Sequence, residues 1–292
     1  MTHNLALDFT GAMTIEPVRD YDIRGGGGVT LHAREWGRPD GPAILFVHGW
    51  SQCDMCWDAQ VRSPLAERFR MVTFDNRGHG MSEKRFDTDC YTDERLWADD
   101  VAAVIEQTNL DRPVLVAWSY GGFIAADYVR AYGGMGIAGI DLVGAAVLLR
   151  PPSFDHIGPG FLENAPDASA PDLRTNIAAI RRFLRSCTAR PLPDEVWSAA
   201  LCWNMAVPAE IRGALLARQI DATDIYSRLS VPVLVTHGRQ DMIVLPSMAE
   251  HVLEHCNAAT ASWYDGVGHM PFIEETERFN LELAAFVDRA SR

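Results

Sequence analysis

The chain has 292 residues, of which 48% are hydrophobic and 22% charged, a composition typical of a globular protein with one large α/β domain or a domain that carries an insertion. Its net charge of −13 argues against nucleic acid or an anionic membrane surface as a partner. No stretch approaches the ~18 uninterrupted apolar residues of a membrane span, and the first residues lack the basic start and apolar run of a signal peptide.

The six cysteines are scattered through the chain, a distribution that fits reduced thiols in a cytoplasm, so we expect a cytoplasmic protein. Cys53 and Cys56 have the spacing of half a zinc site. Because no second Cys-x-x-Cys or paired-histidine motif completes it, we expect neither a bound metal nor a cofactor.

The beginning of the chain predicts a terminus followed by a hairpin. Residues 1–12 have the pattern of a loose terminus. Two extended segments, Val18–Arg24 and Val29–Trp36, then flank the run Gly25–Gly28, whose freedom to adopt positive φ suits a turn. We therefore predict two antiparallel edge strands.

Residues 43–149 alternate between apolar runs and helical patterns. The runs lack polar alternation, which is typical of strands buried on both faces of a parallel sheet. This order of strands and helices predicts a doubly wound sheet. The predicted elements are strands at Ala43–Val47, Met71–Phe74, Val114–Trp118 and Ile137–Leu149, and helices within Glu94–Asn109 and at Gly121–Tyr132.

The alternation breaks at Pro151-Pro152, and no convincing buried strand follows before about Leu229. Structureless loops beyond about 15 residues are uncommon, so we interpret this region as a helical cap inserted after the sixth strand. The cap helices are predicted at Leu173–Cys187, Pro193–Trp203 and Ala209–Ile220. The chain then divides into the first part of an α/β core (1–150), the cap (151–229) and the second part of the core (230–292).

The sheet is predicted to resume after the cap. Strands are expected at Val231–Thr236 and Ala259–Tyr264, and a last helix at Glu275–Arg289 keeps one apolar face for docking. The fold class is therefore α/β, with a mostly parallel, doubly wound sheet.

Ser119 lies in the predicted bend between a buried strand and the helix that follows it. In such a bend the strand and helix approach closely, so small residues are needed two positions before and after the serine, here Ala117 and Gly121. A serine that merely caps the helix would give a similar pattern. The motifs elsewhere in the chain favour a catalytic nucleophile over a helix-capping serine at this position.

An alcohol near neutral pH needs a base to take its proton, and the base needs a carboxylate to orient it. Asp241 and His269 each follow a predicted strand, and the carboxyl ends of parallel strands share one edge of the sheet. Ser119, Asp241 and His269 are therefore predicted to converge as nucleophile, acid and base. Asp141 is the rival acid, but a mid-strand position directs it away from that edge.

At these motifs the chain resembles the α/β-hydrolase fold superfamily, and its pattern is most similar to the cofactor-free haloperoxidase and arylesterase group. The order Ser, Asp, His is also that of the superfamily. The matching motifs are His48-Gly49-Trp50, Asp75-x-Arg77-Gly78-x-Gly80-x-Ser82, Trp118-Ser119-Tyr120-Gly121-Gly122, His237-Gly238-x-x-Asp241 and Gly268-His269. Ala117 departs from the family, which has glycine there.

The resemblance implies an oxyanion hole formed by the backbone N–H groups of Trp50 and Tyr120. We also expect Trp50, Trp118 and Trp203 to contact a small-molecule substrate. Most other aromatic residues of the cap are expected to pack the cap onto the core. His48, Asp75 and Arg77 are expected to hold loops beside the oxyanion site.

The predicted activity is hydrolysis of a carboxylic ester or lactone of a small to medium apolar substrate through an acyl-enzyme on Ser119. The same triad is compatible with a cofactor-free haloperoxidase (perhydrolase) or a carbon–carbon bond hydrolase. A different class, a non-catalytic hydrolase-like receptor, is also compatible with the fold. The sequence leaves the oligomeric state open, and a homo-oligomer is compatible with it.

Overall fold

A computed structural model describes residues 5–7, 13–150 and 154–292. The strands are β1 (Leu5–Leu7), β2 (Met13–Ile15), β3 (Arg19–Arg24), β4 (Thr30–Gly37), β5 (Ala43–Val47), β6 (Arg70–Phe74), β7 (Val114–Trp118), β8 (Gly139–Val143), β9 (Leu148–Leu149), β10 (Ile220–Asp221), β11 (Val233–Gly238) and β12 (Ala259–Tyr264). The helices are α1 (Asp58–Val61), α2 (Asp89–Thr92), α3 (Glu94–Gln107), α4 (Gly121–Tyr132), α5 (Pro159–Leu162), α6 (Ala165–Ala168), α7 (Leu173–Ser186), α8 (Asp194–Met205), α9 (Ala209–Leu216), α10 (Thr223–Ser227), α11 (Pro246–His255), α12 (Pro271–Glu274) and α13 (Thr276–Ala290).

Eight strands form one mostly parallel sheet in the order β12-β11-β8-β7-β5-β6-β4-β3. The strands from β6 to β12 in this order are parallel to their neighbours, whereas β4 pairs antiparallel with both β6 and β3. Strands β5, β7 and β8 are buried at every residue, as expected for strands covered on both faces. The predicted fold class is confirmed.

Two predictions about the first strands are wrong. Strand β4 lies between β6 and β3, so β3 and not β4 is the edge strand. Strand β1 pairs antiparallel with β2 through its backbone, so residues 5–7 are not a loose terminus. The remaining residues of 1–12 lie outside the described residues. The inner position of β4 could not be predicted from local pattern, because it depends on the distant partner β6.

Helices α5 to α10 follow β8, the sixth strand of the large sheet in chain order, and the short strand β9. One expectation for this region is wrong: β10 pairs antiparallel with β9, and Ile220 lies opposite Leu149. Helix α9 therefore ends at Leu216 instead of reaching Ile220. Pro151 and Pro152 lie outside the described residues, and the domain boundaries at 150 and 229 remain a prediction.

None of the helices in the described parts of the chain combines the length and the apolar character needed to cross a membrane.

Candidate active site

Ser119 occupies the turn between β7 and α4 in a left-handed backbone conformation, with φ of 55°. This conformation is uncommon for a residue other than glycine, and it persists because the surrounding backbone fixes it. The Ser119 N–H donates to the carbonyl of Val143, and its carbonyl accepts from the N–H groups of Gly122 and Ala146 at 3.0 Å. The turn therefore holds the serine at the carboxyl edge of the sheet.

Close packing around the turn explains the small residues that flank Ser119. A Cβ atom on Gly121 would lie 2.5 Å from the carbonyl oxygen of Val47. A Cβ atom on Gly49 would lie 2.9 Å from the Cβ atom of Ser119. Larger side chains at either position would push the turn away from the loop that follows β5.

Asp241 and His269 meet beyond the carboxyl ends of β11 and β12. His269 Nδ1 lies 2.7 Å from Asp241 Oδ2, and both side chains are buried. The other carboxylate oxygen of Asp241 accepts the N–H groups of Ile243 at 2.8 Å and Val244 at 3.0 Å. Because Nδ1 donates to a carboxylate, the imidazole tautomer leaves Nε2 available to accept a proton.

Gly144 connects this pair to the serine turn. It has φ of 48°, and a Cβ atom there would lie 3.1 Å from His269 Nδ1. Its neighbours in sequence include Val143 and Ala146, which hold the Ser119 backbone. Among the residues that the structure describes, no hydrogen bond joins the Ser119 hydroxyl to His269, and contacts of this kind often tighten only when substrate binds.

Trp50 and Tyr120 line the same cavity as Ser119, and within the described parts of the chain neither backbone N–H group donates to a protein acceptor. The loop of residues 48–52, called here the oxyanion loop, is joined to the segment after β6 by two hydrogen bonds to histidine rings, one of which is its own His48. Ser51 N–H donates to His79 Nε2 at 3.1 Å, and Asn76 N–H donates to His48 Nε2 at 3.0 Å. Burial lowers the pKa of His48 to about 4 and that of His79 to about 3. Both rings therefore stay neutral acceptors.

A narrow apolar cavity opens over Ser119. Its volume is about 30 Å³. The Trp50 ring packs edge-on against Phe161 and Phe183 at centroid distances of 5.4 and 5.3 Å. Apolar side chains of core and cap line it together with Ser119: Trp50, Tyr120, Phe123, Ala146, Leu149, Ile157, Phe161, Leu216, Ile243 and Val244.

Comparisons with known proteins identify the family. The model of the alpha/beta hydrolase family matches residues 44–282, more than half of the chain. The chain belongs to the α/β-hydrolase family. It is 30% identical over 274 residues to the bifunctional esterase/perhydrolase DCH of Acinetobacter calcoaceticus, covering 89% of this chain and 96% of that protein. It is also 30% identical over 280 residues to a non-heme chloroperoxidase of Streptomyces lividans, covering 89% of this chain and 96% of that protein.

The crystal structure of esterase RhEst1 from Rhodococcus sp. ECU1013 is similar, with a TM-score of 0.88 and 31% identity. The match covers 92% of this chain and 98% of that one. This α/β-hydrolase is thus a member of the superfamily close to the cofactor-free haloperoxidase and esterase group.

Of the three tryptophans expected at the substrate site of this hydrolase, Trp50 lines the cavity, whereas Trp118 and Trp203 do not. The Trp118 ring packs against Phe272 at 4.9 Å, and its Nε1–H donates to the His269 carbonyl. Trp203 Nε1–H donates to Gln52 Oε1 at 2.8 Å. Trp118 therefore holds the backbone of His269, the candidate base, and Trp203 joins the cap to the oxyanion loop.

Sequence reasoning missed the wall formed by Ile157, Ile243 and Val244. The last two come two and three residues after the candidate acid in the chain, and that position is a signal that could have found them. Ile157 comes from a cap segment that carried no periodicity. Its place is set by an isolated β-bridge to Val244.

Asp141, the rival acid, lies in the middle of β8 and is buried. Its Oδ1 accepts the Thr236 hydroxyl at 2.8 Å, and its Oδ2 has no hydrogen-bond partner. Burial raises the pKa of Asp141 to about 7. It does not contact His269 in the described structure, which supports Asp241 as the orienting group.

The region around Cys53 contains buried ligand-type atoms. Cys53 Sγ and carboxylate oxygens of Asp54 and Asp75 lie within 4.8 Å of one another. Protein groups already occupy these carboxylates, since Asp54 pairs with Arg34 at 3.0 Å and Asp75 accepts the N–H groups of Asp54 and Met81. Burial and the neighbouring Asp75 raise the pKa of Asp54 to about 7.

Proposed function

We propose that this α/β-hydrolase is a serine hydrolase that cleaves a carboxylic ester or lactone of a small to medium apolar substrate through an acyl-enzyme on Ser119. The observation that carries the proposal is the Asp241–His269 hydrogen bond of 2.7 Å beside a strained serine at the mouth of an apolar cavity. Esterases among the relatives support the reaction class.

In the proposed mechanism, Ser119 Oγ attacks the acyl carbon while its proton passes to His269 Nε2. Asp241 holds the imidazole in the tautomer that can accept this proton, and it stabilises the cation that forms. The tetrahedral intermediate collapses when His269 returns the proton to the leaving oxygen. Water then attacks the acyl-enzyme with the same base, and the carboxylic acid leaves.

The negative charge of the tetrahedral intermediate would be held by the N–H groups of Trp50 and Tyr120. The Tyr120 N–H lies at the start of α4, where the helix dipole adds to its effect. Loss of one such donor typically costs ~3 kcal/mol of barrier. The neutral rings of His48 and His79 would keep this loop in place without adding a competing charge.

The cavity supports an apolar acyl group or ring. Its walls come from both core and cap, and Ser119 and Tyr120 are the lining residues that carry a hydroxyl group. We infer a small-molecule substrate that carries no charge on the part that enters the cavity, because an unpaired charge there would lose its hydration without compensation.

A second activity is favoured by the relatives, which include a bifunctional esterase/perhydrolase and a non-heme chloroperoxidase. In this reaction hydrogen peroxide replaces water as the attacker of the acyl-enzyme. The products are a peracid and free Ser119, so no cofactor is needed. Peracid formation from a simple ester and peroxide, measured by halide oxidation, should then require the same serine.

The test is the intact mass of the protein after exposure to a fluorophosphonate, together with turnover of activated esters and lactones. Wild type should gain one adduct and hydrolyse esters, and Ser119→Ala should do neither. Ser198→Ala, which alters an exposed serine of α8, is the matched control and should behave as wild type. Folded wild type that neither labels nor turns over would favour the receptor interpretation.

A further inference from the structure

The cap segment of residues 156–160, called here the lid segment, lies against residues 241–245, called here the acid loop. Gly158 N–H donates to the Ile243 carbonyl at 2.8 Å, and Gly160 N–H donates to the Met242 carbonyl at 2.9 Å. In the other direction, Leu245 N–H donates to the carbonyl of His156 at 2.9 Å. The two segments are therefore joined along their backbones like a short pair of strands.

The acid loop is held from both sides by these bonds. On its inner side, the N–H groups of Ile243 and Val244 donate to Asp241 Oδ1. On its outer side, the carbonyls of Met242 and Ile243 accept from the lid segment. A displacement of the lid segment would shift the same peptide groups that orient the carboxylate.

Space, not backbone conformation, requires glycine in the lid segment. Gly158 has φ of −79°, which any residue can adopt. A Cβ atom on Gly158 would lie 2.1 Å from the Met242 carbonyl oxygen, and one on Gly160 would lie 2.7 Å from the same atom. Two glycines thus allow the lid backbone to reach hydrogen-bond distance of the acid loop.

We propose that the lid segment positions Asp241 for catalysis and that Gly158 is the positioning residue on which this contact depends. The inference rests on the role proposed for Asp241. The neighbouring Ile157 lines the cavity and bridges to Val244. The lid segment therefore contributes both a wall of the cavity and the support of Asp241.

The kinetic test compares Gly158→Ala with Gly213→Ala, a matched control in cap helix α9. A Cβ atom on Gly213 would meet only Ser169, at an ordinary 3.6 Å. Gly158→Ala should lower kcat at least ~10-fold with KM within about twofold, because a catalytic group misplaced by ~1 Å can cost ~100-fold in rate. Gly213→Ala should keep the wild-type kcat. Folded Gly158→Ala with the kcat of the control would overturn the proposal.

Amide hydrogen exchange in the wild type provides an independent test that needs neither a folded variant nor ester turnover. If the lid segment and the acid loop open as one unit, the amides of Gly158, Gly160, Ile243 and Val244 should exchange with the same opening free energy. Fast exchange at the two glycines beside strong protection at Ile243 and Val244 would show that the acid loop is stable alone, and the proposal would fail. Absence of serine-dependent turnover would instead contradict only the proposed function.

Discussion

The variant Asp141→Asn tests, through protein stability and ester turnover, whether Asp141 or Asp241 orients His269. The Asp141 carboxyl is buried in β8 with one oxygen bound to Thr236 and the other without a partner. Asparagine has the same shape, stays neutral, and keeps an acceptor for the Thr236 hydroxyl. We expect Asp141→Asn to retain ester hydrolysis and to be more stable than wild type in alkaline solution.

The magnitude follows from the pKa of Asp141, which burial raises from 3.8 to about 7. Between these two values the folded state holds a proton that the unfolded state has released, so stability falls as pH rises from about 4 to 7 and stays low above. Each pKa unit corresponds to about 1.4 kcal/mol, so ionised Asp141 costs the folded state ~4 kcal/mol at pH 9. Asp141→Asn removes this cost.

Urea unfolding of wild type and Asp141→Asn at pH 5 and pH 9 measures the effect. Burial also raises the pKa values of Asp54 and Asp127 to about 7. Because both residues are present in both proteins, the difference in their stability change with pH reports Asp141 alone. Asp241→Asn is the companion variant and should lose most ester turnover, because His269 would lose the carboxylate that orients it. Loss of turnover in folded Asp141→Asn, with turnover retained in Asp241→Asn, would refute the assignment of the acid.

Three further predictions concern the oxyanion loop, His269 and the cavity. Burial lowers the pKa of His79 from 6.5 to about 3, so the stability that the neutral ring contributes is complete above pH 6.5 and is lost as pH falls. Between pH 7 and pH 5, the free energy of unfolding measured in urea should therefore fall by ~2 kcal/mol less in His79→Gln than in wild type. Equal falls in the two proteins would contradict this. Gly144→Ala places a methyl group 3.1 Å from His269 Nδ1 at a φ of 48° and should lower kcat by ~10-fold or more. An unchanged kcat would show that His269 can shift to accommodate the methyl group without loss of activity. Phe161→Ala should move the preferred acyl chain of an ester series to longer lengths, and an unchanged preference would place the acyl group elsewhere.

The sequence predicts the inner strands β5 and β7 well, because they are continuous apolar runs that end in polar motifs. Strands β5 and β7 have the bounds that the pattern predicts. The meeting of Asp241 and His269 could also be expected, since both follow strands of one parallel sheet. Elements whose position depends on a distant partner could not be predicted, as for β4 inside the sheet and for Ile220 beside Leu149.

The direction in which side chains point at the site also could not be predicted from the local sequence pattern. Trp118 directly precedes Ser119, the candidate nucleophile, yet its ring packs against Trp57 and Phe272 and does not line the cavity. The reason is geometric: successive side chains of a strand point to opposite faces of the sheet, and only tertiary packing decides which face covers the cavity. Phe161 lines the cavity because the cap brings it against Trp50.

The cap reaches the oxyanion loop as directly as it reaches the acid loop. The Ser51 hydroxyl donates to the carbonyl of Asn204 at 3.2 Å, and Trp50 Nε1–H donates to the carbonyl of Arg212 at 3.1 Å. The core side of the same loop is held by the His79 ring, which burial keeps neutral. Preorganised donors stabilise an oxyanion because they need no reorientation during the reaction. In this hydrolase the cap would therefore determine rate as well as substrate choice, since it fixes the Trp50 ring and N–H group through one short loop.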